Sequence, residues 1–133
     1  MVNNVSNIVI RIPDDSFYQS MDRNFPKDVF QLTRVSSDEA LISAVKGGKA
    51  NAVIIGGESA AAFLSGVRNS PEMLFMPVFV VDSGADRRQA DAAVLSLADG
   101  YFSFSADASI NLVTSEIAEK VKRRISEVFH PVS

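Results

Sequence analysis

The amino-acid sequence predicts an α/β domain in which a five-stranded parallel sheet is covered by helices on both faces. Five strand-like segments alternate with five helix-like ones, and the inner strands are continuous apolar runs. Glycine, proline or cap-type residues punctuate nearly every boundary. The clearest inner strand is Ala52-Val53-Ile54-Ile55, which runs straight into Gly56-Gly57. Four apolar residues in a row suit a strand covered on both sides, and the glycine pair lets the backbone turn sharply or approach something closely. In a doubly wound sheet, the carboxyl end of a central strand is where ligands and chemistry sit. Here that position offers no side chain.

The elements justify themselves in order. Asn7 to Ile12 is a first strand closed by Pro13. Asp14-Asp15-Ser16 then reads as a helix start, acidic residues following a proline. The helix is short: Phe17, Tyr18, Met21 and Phe25 form its apolar face and Pro26 stops it. Asp28 to Arg34 alternates apolar and polar, as a strand near a sheet edge does. Ser36 with Glu39 makes a capping box for a second helix, with Ala40, Leu41, Ala44 and Val45 inward and Gly47-Gly48 at its end. Beyond the central strand, a third helix begins at Glu58 and finishes at Asn69-Ser70-Pro71. Met76 to Val81 is another wholly apolar strand, closed by Asp82-Ser83-Gly84. A fourth helix runs from about Arg87 to Leu97 and ends at Ala98-Asp99-Gly100, before a short strand Tyr101 to Phe104. Ala106 to Ser109 caps the final helix, Ile110 to about Val128, with Ile110, Val113, Ile117, Val121 and Val128 on one face. Glu116–Lys120 and Glu119–Arg123 stand at pairing distance on the other.

Composition narrows the function. At 133 residues the chain is one domain with enough length for a real core, and its 47% apolar content is ordinary. No cysteine is present, so thiolate chemistry, disulfides and cysteine zinc sites are excluded. No apolar run is long enough to span a membrane, and the N-terminus lacks a secretory pattern, so the expected location is the cytoplasm. A net charge of -3 without a basic face argues against nucleic acid as a direct partner. The lone histidine, His130, reads as a tail residue.

Over nearly its whole length the chain resembles the receiver domain of bacterial response regulators, the CheY-like family. The resemblance rests on Asp14-Asp15 after the first strand, the Met76–Val81 strand, and the Ala98-Asp99-Gly100-Tyr101 lead into the last strand. The spacing from Asp82 to Phe104 matches as well. It implies a three-layer α/β/α sandwich with strand order 2-1-3-4-5. It also implies a switch in which an acidic pair binds magnesium, an aspartate ending the third strand accepts a phosphoryl group, and a hydroxyl and a lysine answer it. This chain departs from that pattern. Gly56 stands where the phosphoacceptor belongs, Asp82 (with Ser83 next to it) where the hydroxyl belongs, and Phe104 where the lysine belongs. Phosphoryl capture needs a carboxylate nucleophile, a cation and donors for the transferred oxygens. The expectation is a degenerate receiver with no cofactor. Asp14 and Asp15 are then read as helix-start electrostatics, with a weak residual Mg²⁺ site as the alternative.

A receiver without its switch is expected to act by protein–protein contact in signal transduction. The resemblance points to the face made by the fourth helix, fifth strand and fifth helix, which serves for dimerisation or docking. Here that face carries Arg87, Arg88, Asp91, Tyr101, Lys120, Arg123 and Arg124. The alternative is an N-terminal targeting domain of a larger protein, such as a pilus-assembly ATPase-like protein, a transcription regulator or a cyclic-di-GMP enzyme. An enzymatic or ligand-binding reading in the flavodoxin manner is disfavoured. Gly56-Gly57-Glu58-Ser59 matches neither a Walker loop nor a dinucleotide fingerprint, and Glu58 would repel phosphate.

Overall fold

The computed structural model describes residues 6–12, 15–48, 50–70, 76–83, 97–104 and 110–129. Five strands form one sheet: β1 (Ser6–Arg11), β2 (Phe30–Arg34), β3 (Ala52–Gly56), β4 (Val78–Ser83) and β5 (Gly100–Phe104). All pairings are parallel and the order is β2-β1-β3-β4-β5. Three helices, α1 (Asp15–Asn24), α2 (Asp38–Lys46) and α3 (Gly57–Arg68), connect the first four strands in turn, and the C-terminal helix spans Ile110–Phe129. The expected order and the α/β/α arrangement are therefore present. The fourth expected helix, 87–97, falls almost wholly outside the described residues.

Strand periodicity divides the core in two. Ile8, Ile10, Ile12, Ala52, Ile54, Phe79, Val81 and Phe102 point to one face, where α1 (Phe17, Met21) and the C-terminal helix (Ile117, Val121, Ile125) cover them. Val9, Val53, Ile55, Val78 and Val80 point to the other, against Leu41 and Val45 of α2 and Phe63, Leu64 and Val67 of α3. Every residue of β3 is buried, as a continuous apolar run between two helical layers should be.

Several boundaries differ from the sequence reading by a residue or two. Asp28 and Val29 lie in a turn, because the Val29 and Phe30 amides both donate to the Pro26 carbonyl, so β2 begins only at Phe30. The N-cap of α2 is Ser37, not Ser36. Ser37 has the extended backbone a cap requires (φ -144°, ψ 157°), and its hydroxyl accepts from the Ala40 amide at 3.1 Å. β4 runs from Val78 to Ser83, not from Met76 to Val81: Met76 and Pro77 precede it, and Asp82 and Ser83 pair with Ser103 and Phe104. The third helix begins one residue before the expected Glu58: Gly56 ends β3 and caps α3, whose first residue is Gly57.

Candidate functional site

The switch positions belong at the carboxyl edge of the sheet, and the strand register assembles that edge from the backbone upward. Gly56 is the last residue of β3, is buried, and pairs with Val81 of β4. Asp82 follows one residue beyond and stands opposite Ser103, while Ser83 stands opposite Phe104. On the other flank Arg11 pairs with Ile55, and one residue past that pair comes Ile12, alongside Gly56. Ile12 is buried in the core cluster beneath α1. An isoleucine and a glycine therefore occupy the centre of the edge, where acidic oxygens would be needed to hold a phosphoryl group or a cation.

Of the acidic pair, only Asp15 is among the described residues. Asp14 lies outside them. Asp15 opens α1, is 78% exposed, and meets Arg34 Nη1 at 2.6 Å. It thus stands at a helix start with a cation neighbour, a setting that by itself accounts for a carboxylate. No group of three or more His, Cys, Asp or Glu side chains among the described residues is assembled to hold a metal ion.

Two arginines that sequence reasoning passed over close the neighbouring strands. Arg34 ends β2 and turns towards α1. Its Nη2 donates to the Ile12 carbonyl at 2.9 Å, and its guanidinium lies 4.9 Å from the centre of the Tyr18 ring. Arg11 ends β1 and turns the other way, its Nε donating to Asp38 of α2 at 3.2 Å. Between them is an open cleft of about 400 Å³ lined by Arg11, Ile12, Arg34, Val35 and Ser36. Their signal in the sequence is slight: a single cation ending each of two otherwise strand-like runs.

The opposite edge holds a densely connected polar group, centred on Asp99. Asp99, 9% exposed, accepts from the Val78 amide (2.7 Å) and Arg68 Nη2 (3.0 Å) at Oδ2, and from Arg124 Nε (2.6 Å) at Oδ1. Its own amide donates to the Val78 carbonyl. Arg68 also donates to the Leu97 and Met76 carbonyls. The hydrogen bond to Asp99 raises the Arg124 pKa above its ordinary value against an opposing effect of partial burial. Arg124 is thereby tied into the frame. Lys120 and Arg123 are exposed beside it, bordering a hollow of about 130 Å³ with Phe79, Asp99 and Glu127. Tyr101, on edge strand β5, packs against the core cluster of the other face. Arg87, Arg88 and Asp91 lie outside the described residues.

No family model and no curated protein matches the sequence. Solved structures do match the fold. A candidate response regulator of Chloroflexus aurantiacus is similar with a TM-score of 0.70 and 14% identity, over 90% of this chain and 99% of that one. HP1043, an orphan response regulator of H. pylori, is similar with a TM-score of 0.66 and 13% identity, over 90% and 99%. A CheY-like protein (TadZ) of Pseudomonas aeruginosa gives 0.61 and 15%, over 90% and 98%. Taken with the 2-1-3-4-5 parallel sheet, these matches establish that the chain is built on the CheY-like receiver fold of response regulators.

Proposed function

We propose that this chain is a non-enzymatic receiver-type signalling module that works without phosphorylation, through protein–protein contact. The observation that carries the reading is Gly56. The residue closing the central strand is buried and has no nucleophile. An acyl phosphate cannot form on glycine. The contact surface is the edge built by β5 and the C-terminal helix, where Lys120 and Arg123 are exposed, and self-association is its simplest use.

Amide NMR spectra with and without magnesium and beryllofluoride test the first half. The expected result is an unchanged spectrum at Asp15, Gly56 and Asp82, whereas saturable shifts there would mean a working acidic pocket. Sedimentation velocity tests the second half. Concentration-dependent association should be lost in a Lys120→Glu, Arg123→Glu double variant. Arg124 is left in place because it holds Asp99.

A further inference from the structure

The exposed face of the C-terminal helix carries a self-complementary pattern of charge. We propose that a second copy of this chain docks on it, the two helices lying antiparallel about a two-fold axis. The inference rests on the self-association proposed above and gives it a geometry.

The fold sets which side of the helix is offered. Ile117, Val121 and Ile125 are buried in the core cluster. Helical periodicity turns Glu116, Glu119, Lys120 and Arg123 to the opposite side, where all four are exposed. Positions three and four apart are neighbours on a helix surface, so these residues form a single stripe. The helix is braced just beyond it. Arg124 Nε donates to Asp99 at 2.6 Å, and Asp99 is held in turn by Arg68 and the Val78 amide.

The order of the charges points to the occupant. Along the stripe, two acidic residues precede two basic ones. Glu116 precedes Glu119 by as many residues as Arg123 follows Lys120, so the pattern reverses sign about a point midway between Glu119 and Lys120. A two-fold axis through that point sets Glu119 opposite the second copy's Lys120, and Glu116 opposite the second copy's Arg123. In such an isologous contact each pairing is made twice. Parallel helices in register would set like charges opposite each other. Sliding the antiparallel pair by about one turn would do the same, with Glu116 meeting Glu119 or Lys120 meeting Arg123. A uniformly acidic or basic partner would be repelled by half of the stripe. The surface that fits carries both signs in reverse order, and the chain itself supplies one.

The charges are available for this use. Spacing allows Glu116 to pair with Lys120, and Glu119 with Arg123, inside one helix. The ion pairs among the described residues nevertheless involve none of the four. Glu127, further along the helix, is engaged by Arg124 of its own chain at 3.2 Å. Exposed pairs are individually weak and screened by salt, so the contact is reversible and salt-sensitive.

Sedimentation velocity of the full chain, at low and high salt, tests this with three variants. Glu116→Lys with Glu119→Lys makes the stripe wholly basic, and Lys120→Glu with Arg123→Glu makes it wholly acidic. All four substitutions together exchange the signs and keep the net charge. Each double variant should self-associate about tenfold or more weakly than the unsubstituted chain. The four-substitution chain should recover the original dissociation constant to within about threefold. All the substituted positions are exposed, and circular dichroism establishes that each variant keeps its helix content. A four-substitution chain that does not recover, or an association indifferent to salt, would overturn this geometry and leave self-association to another surface. An unsubstituted chain that stays monomeric would overturn self-association itself, so the two can fail separately.

Discussion

The two edges of this sheet use polar chemistry in opposite ways. At the amino edge, Asp99 gathers a backbone amide and two guanidiniums from α3, β4 and the C-terminal helix into one satisfied cluster. At the centre of the carboxyl edge, where a receiver would concentrate its charges, Ile12 and Gly56 stand side by side. The difference teaches that ionic interactions have not been lost from the fold. They serve cohesion at one end, while core residues stand near the centre of the other. The carboxyl edge is not uniformly apolar, since Arg11 and Arg34 hold its β1–β2 corner.

That contrast can be broken from either side. The largest effect is expected from Asp99→Ala, which leaves the Val78 amide and two arginines without their shared acceptor. Breaking a buried ion pair from one side costs about 3–5 kcal/mol, readable by urea denaturation, and Asp99→Asn should recover part of it. Next comes Ile12→Ala at the opposite edge, about 2–4 kcal/mol for a cavity in a packed cluster. If it were silent, the carboxyl edge would not be part of the core. Gly100→Ala follows: a Cβ there would lie 2.8 Å from the Phe79 ring, so the ring must shift, at about 1–3 kcal/mol. The smallest effect sharpens the boundary of α2. Ser37→Ala should lower the thermal midpoint with a loss of about 1 kcal/mol, and Ser36→Ala should leave it nearly unchanged.

Much of the fold was legible because its signals are local. The apolar run Ala52–Ile55 and the alternation of strand and helix patterns depend on residues a few positions apart. So does the blank at Gly56, which is a fact of residue identity. The hub at Asp99 was illegible because locally it is a turn residue between Ala98 and Gly100. Its partners Arg68 and Arg124 are 31 and 25 positions away. The cleft arginines were hidden in the same way, since Arg11 and Arg34 become neighbours only through β1–β2 pairing. The choice between Ser36 and Ser37 turned on one residue's backbone angles, which adjacent serines cannot reveal.

The direct passage from β3 into α3 has a mechanical consequence. From Ala52 to Arg68 each residue belongs either to the sheet or to the helix, with none left as a connector. A hinge needs torsions that can rotate without rupturing a ladder or helical hydrogen bond, and here only the Gly56–Gly57 junction, next to helix amides with no intrahelical partner, offers them. A force applied at the tip of the central strand would therefore tilt α3 as a whole about that one joint, with no loop to rearrange.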